Sequence, residues 1–259
     1  MASYVKFMEG SGARVVPLIS TEDWATTEAK LNRIDGVLFP GGDNLYTEYA
    51  RGIFNYAVKM NDLGHFYPIW GTCLGMQTLA IITSDAGNDI LTYAPAFDVS
   101  LPLEFIGDPD SSKMFGDLGW QAEGFAELPI TLNNHVGGVA PERFLTDAGL
   151  SSFFHPTSIS YSPEEGHLPF TATMESYKYP FFGTQFHPEK VLDVYYPVDN
   201  INHSWASVEL NRYLADKFIT LARENPNVYG DYSQVQAALI ENYTSIVTDY
   251  WCGQVYVSE

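Results

Sequence analysis

Basic residues are scarce in this sequence. Its 259 residues carry 13 Lys and Arg against 32 Asp and Glu, a formal charge of −19. So acidic a chain repels a phosphate backbone and anionic lipid alike, which argues against nucleic-acid binding and a peripheral membrane role. Cysteine is scarcer still. Cys73 and Cys252 stand alone, which excludes a disulfide scaffold and leaves room for a single bridge. No apolar run approaches the roughly 18 residues of a spanning helix. The opening Met1–Gly12 (MASYVKFMEGSG) lacks the basic and apolar regions of a secretion signal. Clusters with metal-ligand spacing, a dinucleotide fingerprint and a Walker loop are missing too, so neither a metal nor a nucleotide cofactor is expected.

The apolar fraction is an ordinary 46% with only 17% charged residues, which places the chain among globular proteins rather than disordered ones. Its pattern alternates. A short amphipathic helix over Ala2–Gly10 leads to Ala13–Ile19 (ARVVPLI), which reads as a buried strand. A helix through Leu31, capped by Ser20 or Thr21, precedes the apolar strand Gly36–Phe39. Tyr46–Met60 reads as helix and Phe66–Trp70 as strand, followed by a helix to about Ile82. Later, Phe170–Met174 and Phe181–Phe186 read as strands, and Ser204–Glu224 and Gln234–Val247 as helices. Strand–helix alternation predicts an α/β fold with a mostly parallel central sheet flanked by helices, in one domain spanning residues 1–259 with 227–259 as a C-terminal extension. Because the chain opens on a helix where such domains open on a strand, a first strand is expected to be absent.

Chemistry is concentrated in three segments. In Trp70-Gly71-Thr72-Cys73-Leu74-Gly75 an apolar strand enters a Gly-x-Cys-x-Gly turn and a helix follows. This is nucleophile-elbow logic with sulfur in place of hydroxyl: a sharp turn exposes Cys73 at a helix N-terminus, where the dipole favours thiolate. The Leu74 N–H would face an oxyanion formed beside the sulfur. A buried, inert cysteine is the competing reading. In Gly183-Thr184-Gln185-Phe186-His187-Pro188-Glu189, Pro188 keeps His187 extended, so His187 and Glu189, two apart, share a side as base and orienting carboxylate. A solvated surface turn is the alternative there. In Phe39-Pro40-Gly41-Gly42, Gly42 offers a second oxyanion donor, though Pro-Gly-Gly is also an ordinary turn. His135 reads equally well as a satisfied buried histidine or a site residue.

These segments resemble class I glutamine-amidotransferase-like proteins and, within them, the γ-glutamyl hydrolases. The resemblance runs from residue 2 to about residue 224. It is carried by ASYVKFMEGSGARVVPL, GVLFPGG, FYPIWGTCLG, TMESYKYPFFGTQFHPEK, and Asn134-His135 followed by Pro141-Glu142-Arg143-Phe144. It implies Cys73 as nucleophile, His187 as proton donor, Glu189 as orienting third member and His135 as a substrate-side residue. It further implies cysteine-dependent cleavage of γ-glutamyl bonds in folate poly-γ-glutamates, a homodimer, and a vacuolar, lysosomal or extracellular location. The sequons Asn202-His203-Ser204 and Asn242-Tyr243-Thr244 would then be glycosylation acceptors. Met76 and Gln77 depart from the hydrolases' usual GTCLGFE towards the amidotransferase form, and the tail is only loosely family-like.

Two rival functions share these residues: a glutaminase releasing ammonia to a synthase, and a catalytically impaired relative. A polyanionic substrate also conflicts with a −19 protein. That conflict calls for a local cation, with Lys178, Lys190, Arg143 and Arg51 as candidates, and for an activity optimum below neutrality, where carboxylates on both partners gain protons.

Overall fold

The structure, a computed structural model, describes residues 1–43, 46–164, 166–195, 200–248 and 253–257. Cys252 lies outside them. Helix α1 (Ala2–Glu9) opens the chain and α2 (Trp24–Leu31) follows, with strand β1 (Val37–Phe39) next. The cap of α2 is Asp23, whose carboxylate accepts the Thr26 N–H at 2.8 Å, rather than Ser20 or Thr21. Helix α3 (Thr47–Asp62), strand β2 (Ile69–Thr72) and helix α4 (Leu74–Thr83) then form the expected strand–helix series.

Beyond α4 come β3 (Leu91–Leu101), β4 (Glu104–Phe105), α5 (Ala122–Glu127) and β5 (Thr131–Val139). They lead to α6 (Pro141–Thr146), α7 (Ala148–Phe153), β6 (Phe154–Tyr161), β7 (Pro169–Ser176) and β8 (Phe181–Thr184). The chain closes with α8 (Pro188–Asp193), α9 (Trp205–Ala222), α10 (Tyr232–Ala238), β9 (Thr244–Val247) and β10 (Gln254–Val257).

The central sheet has the order β1-β2-β8-β7-β6-β4. Its first three strands run parallel, and β7, β6 and β4 pair antiparallel. The fold is α/β with helices against the sheet, as expected, but the sheet is mixed. The parallel expectation fails after β8 because the turn at Tyr177–Pro180 joins β7 to β8 as a hairpin, which returns the chain antiparallel. Strands β3 and β5 form a separate antiparallel pair with two register shifts. Such irregular pairing breaks a simple two-residue alternation, which is why neither strand was legible.

Alternating side chains feed two cores. Ile69 and Phe181 point into a cluster with Ile53, Phe54 and Leu79, while their neighbours Trp70 and Phe182 point to the other face with Phe7, Leu214 and Phe218. Both faces of β2 are fully buried, so its sequence reads as a continuous apolar run rather than an alternation.

The Ala13–Ile19 segment forms no strand. It runs past a cavity of about 600 Å³ whose walls include Val16, Val37 and Phe218. Among the described residues no strand pairs with the outer edge of β1. The tail also differs from expectation. Its helix stops at Ala238, and Thr244–Val247, with β-branched Thr244, Ile246 and Val247, joins a hairpin instead. Ile240 donates its N–H to the Val15 carbonyl at 2.9 Å, which ties the tail to the segment after α1.

Candidate active site

Cys73 stands between β2 and α4 with φ +53° and ψ −110°, a conformation that costs a non-glycine residue strain. The turn is enforced on both sides. The Cys73 N–H donates to the Thr184 carbonyl at 2.7 Å, which fixes it against β8. Gly75 lies so close to β1 that an added Cβ would overlap the Phe39 carbonyl oxygen, so only glycine lets α4 start this near the sheet. Leu74 is the first residue of α4, where N–H groups have no intrahelical partner.

The parallel pairing of β2 with β8 brings the second motif to the first. Thr72 is in register with Thr184, so the residues after each strand emerge at one end of the sheet. His187 and Glu189 are both buried, with Nδ1 of the imidazole 2.9 Å from Oε1 of the carboxylate. They meet by a different route from simple strand alternation. His187 is the N-cap of α8, Pro188 its first residue, and Glu189 reaches back from the first turn.

Burial alone would lower the His187 pKa. The Glu189 carboxylate and then the Cys73 sulfur outweigh it and raise the pKa to about 10. For Glu189, burial pushes upward, and the facing His187 charge wins and lowers it. The imidazolium–carboxylate pair is therefore the stable state over a wide range. The same imidazole is within hydrogen-bonding reach of Cys73.

Tyr4 was missed from the sequence. On α1 it looks like one more apolar-face residue, yet its hydroxyl lies 3.3 Å from His187 Nδ1 and accepts the Gly41 N–H at 2.8 Å. Because that oxygen accepts from Gly41, its own proton is directed at the His187–Glu189 pair. Burial, then the charges of Glu189 and Cys73, hold its phenol well above the ordinary value. Gly41 is pressed onto the pair: a Cβ there would meet the Tyr4 hydroxyl at 2.6 Å and His187 Cε1 at 2.9 Å. Gly42 follows on the same loop. Only the fold reveals this use of Tyr4, since 183 residues separate it from His187.

His135 is buried on β5, edge-on to Phe170, with Nε2 3.2 Å from Asn133 Oδ1. Burial, then the charge of His187, lowers its pKa to about 3, so it is neutral at ordinary pH. Among the four cation candidates, Lys190 is the one at the site, buried beside Glu189, which its charge helps keep ionised. Lys178 pairs with Asp62 at the β7–β8 turn, at the far end of β8 from His187. Arg51 donates to the Ile82 carbonyl near the distal end of α4. Arg143 lies on α6, which packs on β6, β7 and α7. The expected cationic role of these three has no support in the geometry. No group of His, Cys, Asp and Glu among the described residues has the arrangement to hold a metal. No helix among them is long and apolar enough to cross a membrane.

Comparison with known proteins agrees with this layout. The glutamine amidotransferase class-I family model matches residues 10–198. Human γ-glutamyl hydrolase is 34% identical over 256 residues, covering 95% of this chain and 78% of the relative. γ-Glutamyl hydrolase B of Dictyostelium discoideum is 31% identical, covering 99% of this chain and 76% of the relative. γ-Glutamyl hydrolase 1 of Arabidopsis thaliana is 31% identical, covering 96% and 72%. With a cysteine elbow facing a His–Glu pair across a shared sheet end, and this similarity along nearly its whole length, the chain belongs to the class I glutamine amidotransferase family and, within it, to the γ-glutamyl hydrolases.

Proposed function

We propose that this protein hydrolyses γ-glutamyl bonds of folate poly-γ-glutamates through a thioester on Cys73. The observation that carries the reading is the strained Cys73 backbone at the head of α4, facing an imidazole held by Glu189 at 2.9 Å. The Cys73 thiolate attacks the γ-amide carbon, and the carbonyl oxygen becomes an oxyanion held by the N–H groups of Leu74 and Gly42. His187, protonated, gives its proton to the leaving amine as the C–N bond breaks and the thioester forms. Water then attacks the thioester, His187 takes the water's proton, and the sulfur departs with the bonding electron pair. His135, neutral and near His187, serves the substrate side.

The polyanionic substrate meets an acidic protein, and the buried Lys190 offsets charge at the site from beneath, beside Glu189, rather than by reaching the substrate. An activity optimum below neutrality follows, which suits a lysosomal, vacuolar or extracellular setting. A homodimer is the assembly this reading carries with it. The deciding experiment compares hydrolysis of γ-linked and α-linked glutamyl peptides, with Cys73→Ala as control. Cleavage of the γ-linked peptide alone, lost in the variant and peaking below neutrality, is expected. A profile peaking above about pH 8, close to the ordinary thiol pKa, contradicts it.

Gln77 favours a second reading, because it matches the amidotransferase form of the elbow. Ammonia release from free glutamine exceeding glutamate release from γ-diglutamyl peptide would select that one.

A further inference from the structure

Two buried glutamines lie beside the nucleophile, and the mechanism above gives neither a task. Gln185, fully buried after β8, places its amide nitrogen 3.7 Å from Cys73 Sγ. Gln77, one turn into α4, places its amide nitrogen 2.8 Å from the Gly137 carbonyl oxygen and 3.2 Å from Gln185 Oε1. The orientation of a side-chain amide has to be assigned from its partners, and here the partners decide it. A backbone carbonyl can only accept, so Gly137 fixes the –NH₂ end of Gln77 towards itself. That group has two hydrogens, and the second meets an oxygen on Gln185. The –NH₂ end of Gln185 is thereby turned to the sulfur.

We infer that Gln185 is a catalytic residue, donating a hydrogen bond to the Cys73 thiolate, and that Gln77 is a positioning residue that fixes the Gln185 amide for this task. This deepens the proposed function and rests on Cys73 being its nucleophile. The arrangement is rigid at each link. The Gln185 N–H donates to the Ala172 carbonyl at 2.8 Å, and a Cβ on Gly138 would already sit 3.6 Å from Gln185 Oε1. An oriented neutral dipole stabilises the sulfur anion without adding a charge that the departing substrate must overcome. Gln77, with both amide hydrogens engaged within the protein, is not free to bind substrate through that nitrogen.

The titratable groups that face the sulfur are His187 at the start of α8, Tyr4 from α1 and Tyr46 ahead of α3, with Glu189 and, on β5, His135 acting on His187 behind it. None of these is altered by neutral substitutions at 77 and 185. The test is therefore the iodoacetamide alkylation rate of Cys73 from pH 4 to 10, followed on its own peptide by mass spectrometry so that Cys252 does not contribute. Gln185→Met keeps the length of the side chain and removes the donor. It is expected to move the half-maximal rate upward by about one pH unit, a tenfold loss of thiolate at fixed pH. Gln77→Met is expected to move it upward by less, since the Gln185 amide stays but loses its orientation. The double variant should match Gln185→Met alone, because Gln77 acts only through Gln185.

A folded Gln185→Met protein with the wild-type profile overturns the inference, as does a Gln77→Met shift that adds in full to that of Gln185→Met. If Gln185→Met does not fold, Gln77→Met decides by itself: an unmoved profile with a lowered melting temperature assigns Gln77 to structure only. Alkylation reads the sulfur directly, so failure of γ-glutamyl cleavage would leave this result standing, and the two readings fail separately.

Discussion

The hydroxyl of Tyr4 sits 2.8 Å from the amide nitrogen of Gly41, joining the first helix to the loop that follows β1. One oxygen thus holds the loop bearing Gly42 and, 3.3 Å away, the imidazole of His187.

Tyr4→Phe removes that oxygen and leaves the ring in its packing. The Gly41 N–H loses its acceptor in a dry site, at a cost of about 1–2 kcal/mol. Urea unfolding should register that loss, and kcat on a γ-glutamyl peptide should fall roughly tenfold as the loop and the imidazole lose their common anchor. An unchanged kcat would confine Tyr4 to packing.

The backbone at Cys73 gives a separate prediction. Alanine at φ +53° keeps the Cβ that makes the turn strained, whereas glycine removes it. Both Cys73→Ala and Cys73→Gly should be inactive, and the glycine variant should be the more stable of the two by about 1 kcal/mol. Paired calorimetric melts measure the difference.

Gly75→Ala tests the close approach of α4 to β1. Its new Cβ overlaps the Phe39 carbonyl oxygen, and backbone at this point cannot swing aside as a flexible side chain would. A loss of about 3 kcal/mol is expected, at the upper end for overpacking, with turnover reduced alongside as the elbow shifts. Denaturant midpoints at constant slope report the first effect.

Stability should depend on pH through the His187–Glu189 pair. The folded pKa of His187 is raised from 6.5 to about 10, so its contribution is complete below 6.5 and is lost as pH rises towards 10. Glu189 is lowered from 4.5, so its contribution is complete above 4.5 and is lost as pH falls through its folded value. Both are in full force between about pH 4.5 and 6.5, where the melting temperature should peak. His187→Gln should flatten the alkaline limb in melts taken from pH 4 to 10.

Much of the site was legible in the linear chain because its signals are local. A strand ending in Gly-x-Cys-x-Gly can hardly do anything but turn, and Cys73 indeed has the positive φ such a turn imposes. Pro188 was expected to keep the chain extended through Glu189; instead it is the first residue of α8, and Glu189 reaches His187 from the first helical turn. Strand β5, which carries His135 and Asn133, and its partner β3 were not legible because their pairing is irregular and joins segments about 40 residues apart. Among the proposed cations, the paired partners of Lys178 and Arg51 decided against them, and no composition could have named those partners.

The order of residues by itself determined the elbow at Cys73 and set His187 and Glu189 close together around a proline, since both depend on steric rules acting over a few neighbouring residues, while the likeness of its motifs pointed to the family. Only the tertiary structure decided that the sheet is mixed, that Tyr4 anchors both the Gly41 loop and His187, and that the Gln77 and Gln185 amides are aligned on the sulfur. The physical reason is that a hydrogen bond made in a dry interior depends on which groups are brought within about 3 Å, and that is set by how strands pair across a hundred residues or more.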